Sequence, residues 1–259
     1  MVSGQQVGVL LREWRRRRRL SQLQLACDAD ISTRHLSFVE NGHSQPSREM
    51  LLHLAEQLAV PLRERNRLLE AAGYAPVYPE RPLSSPPLEG ARHAIDLVLK
   101  GHEPYPALAI DRYWTLVGHN RSVTPFLMGV DPALRQPPIN LLRFTLHPGG
   151  LAPRIVNLGE WRAHLLMRLH RDIELTGDPR LVELMAEVKA YPAPALAAVR
   201  DYGGVVVPME LITNGVTLLF FSTTTVFGTA VDITLAELAI EAFFPADAQT
   251  AEILRGMTS

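Results

Sequence analysis

The sequence predicts an α+β protein overall, with an all-α amino-terminal domain of five helices followed by an α+β domain. Three observations carry that reading. Residues 20–47 read as two short helices joined by a tight turn, with the start of another helix behind them. Residues 74–90 hold Pro76, Pro79, Pro82, Pro86 and Pro87, which interrupt any regular element. Residues 204–233 have strand-like patterning around Asn214-Gly215, a strong two-residue hairpin signal. The expected division is 1–75, a Pro-rich linker at 76–90, and 91–259. A chain of 259 residues is long enough for two domains of ordinary size.

The first helix is expected over 5–19. Val7, Leu10, Leu11 and Trp14 recur at i, i+3, i+4 and i+7, an apolar stripe. Arg15 to Arg19 follow it. Five consecutive arginines point around the whole helix and suit a solvated turn that complements the helix dipole. Ser21 caps the second helix, and Gln24 three residues later completes a capping box. Ser32 caps the third helix. Gly42 suits the left-handed residue just past that helix. Ser47 caps a fourth helix over 47–58, with Leu51, Leu54, Ala55 and Leu58 inward. A fifth helix covers 62–72 and ends at Gly73. Tyr74, Val77 and Tyr78 are apolar enough to pack the start of the linker onto a domain.

Leu20, Leu25, Ala26, Ala29, Ile31, Leu36 and Val39 fall where a helix-turn-helix buries its inner face. Thr33, Arg34, Ser37 and Phe38 point elsewhere. A DNA-binding helix-turn-helix places the N-terminal part of its second helix in the major groove. Base reading is therefore expected of Thr33, Arg34 and Phe38, with Ser32 and Ser37 on the same helix. Phosphate contacts are expected of Gln22 and of the turn at Asn41, Gly42 and His43. One such helix reads only a few base pairs, so a homodimer on double-stranded DNA is expected.

This stretch resembles the lambda-repressor-like helix-turn-helix of Xre-type regulators. Leu20-Ser21-Gln22, Leu25-Ala26, Ile31-Ser32, Leu36-Ser37, Glu40-Asn41-Gly42 and Pro46-Ser47 meet nearly every position of that pattern. The resemblance covers 5–73 and implies a sequence-specific transcriptional regulator. It also implies that Arg15 pairs with Glu40, tying the first helix to the end of the third. The alternative is a helical bundle that binds protein.

In the second domain a helix is expected over 89–100. A strand at 107–110, a turn at Asp111-Arg112, a return strand over 113–117 and a helix over 121–128 follow. Residues 157–175 form an amphipathic helix in which Trp161, Leu165, Leu169 and Ile173 repeat every fourth residue, with Arg162, Arg168 and Arg171 off that stripe. Another helix starts at Asp178-Pro179 and runs to about 190. Gly149-Gly150 and Gly203-Gly204 read as turns. A strand over 205–212 pairs with 216–226, and the apolar run 216–221 implies that both its faces are covered. Thr234 and Glu237 read as a capping box for a helix carrying Leu238, Ile240 and Phe243, and a last short helix spans 247–255.

A strand, short turn and strand followed by a helix is how PAS domains open. With Trp114 in the second strand and the Glu160-Trp161-Arg162 helix, the layout resembles the MmyB-like or MltR-like branch of the Xre regulators over most of 91–250. That branch is named for a ligand-binding carboxy-terminal domain, and the resemblance implies a fatty-acyl-like small molecule. An apolar pocket is expected between the sheet and the 157–175 helix, lined by Trp114, Phe126, Trp161, Leu165 and Phe220. Arg168 or Arg162 would hold a carboxylate head. The alternatives are a filled core that only oligomerises or binds a protein partner, and an enzyme with a DNA-binding arm.

The charges divide unevenly. Residues 1–73 carry a net +3 and the remainder a net −4, which suits phosphate contact by the first domain only. Cys27 alone allows no internal disulfide, fits a reducing cytoplasm, and is expected to be partly buried on the second helix. No apolar leader and no run of transmembrane length is present, so a soluble protein off the membrane is expected. His164 and His170 are six residues apart and off a common helical face. No metal-ligand cluster, nucleophile motif or glycine-rich phosphate loop is present either. Glu160, Asp172 and Glu174 read as solvated helix-face carboxylates. Neither enzyme activity nor a cofactor is expected.

Overall fold

The computed structural model describes residues 2–194 and 207–258. The chain divides into two compact units, one built mainly on residues 1–80 and the other on most of the rest.

The first unit holds α1 (Val2–Arg17), α2 (Gln22–Asp28), α3 (Thr33–Glu40), α4 (Arg48–Gln57) and α5 (Leu62–Ala71). Val7, Leu11 and Trp14 of α1 close one core with Leu25, Leu36, Val39, Leu54 and Leu69. The caps form as the residue types dictate. Ser21 Oγ accepts from Gln24 N at 3.1 Å while Gln24 Oε1 accepts from Ser21 N at 2.8 Å. Ser32 Oγ accepts from His35 N and Ser47 Oγ from Met50 N, capping α3 and α4. Gly42 takes φ +74°, which only a residue without Cβ adopts cheaply.

The basic run is only partly a solvated face. Arg15 is buried. Arg18 donates to Leu58 O at 2.8 Å and Ala59 O at 3.0 Å, satisfying free carbonyls at the end of α4. The guanidinium groups of Arg17 and Arg18 both lie against the Trp14 ring. Arg16 and Arg19 remain exposed. Cys27 corrects another expectation, since it is exposed. Leu25 and Ala26 already fill the inward arc of α2, and the next residue turns away from it. The start of the linker belongs to this unit. Asn66 holds both Val77 N and Tyr78 N, and Tyr74 OH donates to Pro46 O at 3.0 Å.

In the second unit a 3-10 turn, Pro86–Leu88, leads into α6 (Glu89–Gly101). Strands β1 (Ala107–Ile110), β2 (Leu116–His119), β3 (Met209–Thr213), β4 (Val216–Val226) and β5 (Ala239–Pro245) make one antiparallel sheet of order β2-β1-β5-β4-β3. This is the PAS-like α+β layout that the sequence suggests. One face takes α6, with Ile95 and Leu99 against Ala107, Ala109 and Ile240. The other face carries the main core, to which α7 (Leu141–Leu146), α8 (Leu158–Thr176), α9 (Pro179–Ala190) and α11 (Ala248–Thr258) contribute. Asn214 and Gly215 both take positive φ, as a two-residue hairpin between β3 and β4 requires.

Several local readings change. The helix read over 234–243 is a single turn, α10 (Ile233–Ala236), followed by β5. Glu237 leaves the capping box for Arg112, at 2.7 Å. Residues 239–245 fill the seam between β1 and β4, where ladder partners on both sides outweigh local helix propensity. The return strand begins at Leu116 rather than Tyr113. Asp111 Oδ1 accepts from both Tyr113 N and Thr115 N at 2.8 Å, which widens the turn and puts Trp114 in it, not in the strand. Residues 121–127 form a 3-10 helix with Pro125 inside it, not an α-helix. In β4, Leu218 and Phe220 are buried while Leu219 and Phe221 are only partly covered, so one face dominates. Gly203-Gly204 and the strand start at 205 lie outside the described residues.

Candidate DNA-binding helix and ligand cavity

The candidate recognition surface is built from α2 and α3. Leu36 and Val39 anchor α3 inward, so Ser32, Arg34 and Phe38 stand exposed, with Thr33 and Ser37 half-buried beside them. The Arg34 guanidinium lies 5.3 Å from the Phe38 ring centre, and the His43 ring meets Phe38 edge-on at 6.0 Å. Phe38 is 42% exposed, unusual for a large aromatic that no core requires. Three of the expected contact residues thus form one cationic and aromatic patch.

Beneath the patch, α1 grips the end of α3. Arg15 Nε and Nη2 donate to the two carboxylate oxygens of Glu40 at 2.6 and 2.8 Å, a two-pronged pair. Gln22 Nε2 joins at 2.8 Å, and Arg12 lies 3.5 Å from the same carboxylate. Burial alone would raise the Glu40 carboxyl. The hydrogen bonds from Arg15 and Gln22 and the nearby arginine charges outweigh it, and the group lies below its ordinary value. Gln22 therefore has a structural partner as well as its place in the first turn of α2. Asn41 does too, since its amide oxygen takes Arg12 Nη2 and its nitrogen donates to Ser37 Oγ.

In the second unit a cavity of about 80 Å³ lies between the sheet and α8. That is room for several water molecules at roughly 10–15 Å³ each. Trp114, Phe126, Trp161, Leu165, Arg168 and Phe220 all line it, joined by Phe144, Leu151, Met209 and Phe243. The lining is overwhelmingly apolar, as ligand pockets are. Trp114 reaches the cavity from the widened turn at φ +62°, an uncommon conformation for a bulky residue. Its Nε1 donates to Asp172 Oδ2 at 3.1 Å, and the Arg168 guanidinium lies 4.9 Å from its ring centre.

The polar end differs from the sequence expectation. Arg162 is not at the cavity; its Nη2 donates to Lys189 O at 2.6 Å, at the end of α9. Arg168 is at the cavity but holds Glu241, a buried carboxylate of β5. Thr224 Oγ1 adds a 2.9 Å bond to Glu241. Asp172 is no solvated carboxylate, because burial raises its pKa against the Trp114 hydrogen bond. His164 stacks on Trp161 at 5.2 Å, and burial with the Arg168 charge lowers its pKa, so it is mainly neutral at pH 7. Sequence reading misses Glu241 because it reads 234–243 as a helix. Strand alternation over Ala239, Glu241 and Phe243 would have put that carboxylate on the inward face.

Among the described residues no helix is long and apolar enough to cross a membrane, and no three His, Cys, Asp or Glu side chains converge as a metal site requires. Residues 91–257 match the family model described as MmyB-like transcription regulator ligand binding domain. Residues 11–65 match the helix-turn-helix family. Among solved structures the chain is similar to one titled crystal structure of the clp gene regulator ClgR from C. glutamicum. The identity is 27%, over 28% of this chain and 92% of that chain, with a TM-score of 0.25. No curated protein matches the chain.

Proposed function

The chain belongs to the MmyB-like transcription regulators, through the ligand-binding domain that its residues 91–257 match, and from that premise we propose that an apolar, acyl-like molecule in the second unit controls its DNA binding. A helix-turn-helix ahead of that domain makes it a DNA-binding transcription regulator. The observation that carries the ligand reading is the apolar cavity between the sheet and α8. Each buried CH₂ would contribute roughly 0.8 kcal/mol, so about ten of them supply the roughly 8 kcal/mol of micromolar binding before the cost of association is subtracted.

On this proposal Arg34, Thr33 and Phe38 read base edges, helped by Ser32 and Ser37. Gln22, Asn41 and His43 position the backbone, and a homodimer presents two such helices to a two-fold operator. The exposed Arg34–Phe38–His43 patch supports that division. A ligand regulates only if it binds the DNA-competent and DNA-incompetent states with different affinity. Medium-chain and long-chain acyl compounds are added while melting temperature and operator affinity are both measured. A ligand at one hundred times its Kd stabilises by about 2.7 kcal/mol, and the operator affinity shifts about 5- to 150-fold. If neither quantity moves across the series, the second unit serves oligomerisation or a protein partner instead.

A further inference from the structure

The cavity's own polar groups restrict what its ligand carries, on the reading above that the cavity is a ligand site. Among its described lining residues the one cation is Arg168, and it is already engaged. Its two terminal nitrogens hold the two oxygens of Glu241, which is 1% exposed, and Nη2 also reaches Thr224 Oγ1 at 3.2 Å. A ligand carboxylate brought to Arg168 would share that cation with a second buried negative charge. Trp161 presents the opposite situation. It lines the cavity, it is 3% exposed, and its indole Nε1 is buried with no hydrogen-bond partner. Buried donors without partners are uncommon in folded proteins and costly to leave unmade.

We infer that the ligand's polar end is an uncharged hydrogen-bond acceptor, such as the carbonyl of an ester, amide, ketone or lactone on an apolar body, which accepts from Trp161 Nε1 while the Arg168–Glu241 pair stays closed. A free fatty acid is then the poorer ligand, because its carboxylate is ionised at neutral pH, meets Glu241, and gains no unoccupied cation. The buried pair acts as a filter on head-group charge, and the indole supplies the positive recognition.

The test uses the full chain with four ligands of one chain length: decane, methyl decanoate, decanamide and decanoate. Binding and melting shift are read at neutral pH. The ester and amide bind about tenfold tighter than decane, the worth of one well-made neutral hydrogen bond in a dry site, and decanoate binds more weakly than either. Trp161→Phe brings the ester and amide down to the level at which the same variant binds decane, so the ratio between them falls to about one whatever the change in cavity size. Glu241→Gln releases Arg168 and turns the preference toward decanoate. Decanoate binding the unaltered protein as tightly as the ester overturns the inference and leaves the cavity reading standing. So does a Trp161→Phe protein that keeps the full difference between ester and decane. Failure of all four ligands to bind overturns both.

Discussion

On the proposed division of DNA contacts, Arg34 and Gln22 should fail differently. An arginine at the tip of a recognition helix pairs with guanine, for roughly 1–3 kcal/mol of discrimination. Arg34→Ala therefore flattens the preference at one base pair in a binding-site selection. Gln22→Ala weakens all sequences alike, because it removes a backbone contact and one hydrogen bond to Glu40. Uniform losses from both variants would mean that Arg34 reads no base. Arg15 is 9% exposed and Glu40 1%. Arg15→Ala leaves a buried carboxylate without its main partner and costs about 3–5 kcal/mol, whereas exposed Arg16→Ala costs far less. Equal melting temperatures for the two would show the pair to be unimportant. The Glu40 carboxyl is depressed in the folded state. Its contribution is complete above the unfolded value of about 4.3 and is lost as pH falls below that, through the lowered folded value. Acid titration of Glu40→Gln should show a shallower loss over that window.

At the scale of elements, the packing of α1 on α3 depends on Gly8. A Cβ built there would lie 2.5 Å from Val39 O and 2.8 Å from Glu40 O, and backbone carbonyls cannot move aside as a flexible side chain can. Glycine within a helix ordinarily costs about 1 kcal/mol relative to alanine. Gly8→Ala should nonetheless destabilise, by more than about 1 kcal/mol, because the clash reverses the propensity gain. Gly90, exposed near the start of α6, has nothing within 4 Å of such a Cβ. Gly90→Ala should stabilise by roughly 0.5–1 kcal/mol. Urea melts of both variants separate the effects, and a stabilised Gly8→Ala would mean that α1 does not approach α3 so closely. The same logic of close approach places Gly150, whose Cβ would meet Phe144 O at 2.2 Å, beside a helix that lines the cavity.

At the scale of the molecule, each unit has its own buried core. The first unit's apolar residues are largely committed to that core, so the second unit is the expected site of self-association. A fragment of residues 1–75 should be monomeric by light scattering and bind operator DNA weakly. The full chain should be a dimer, since two recognition helices about 34 Å apart are needed on a two-fold site. A dimeric 1–75 fragment would move the interface to the helix-turn-helix unit.

What the sequence determined by itself was set by short-range chemistry. Ser21, Ser32, Ser47 and Gly42 are caps whose partners lie within three or four residues, so the helix-turn-helix was legible without tertiary information. Asn214-Gly215 specified its hairpin for the same reason. Trp161 and Leu165 of the α8 stripe and the aromatic residues at 114, 126 and 220 pointed to one interior, and all five line the cavity. The identity of β5, the bond from Trp114 to Asp172, and the pairing of Arg168 with Glu241 were decided only by the tertiary structure. Each depends on a partner far along the chain: β1 and β4 on either side of 239–245, Asp172 58 residues from Trp114, and Glu241 73 residues from Arg168. Local propensity cannot report a hydrogen-bond ladder or a buried charge pair, because both come into existence only when the sheet closes against α8.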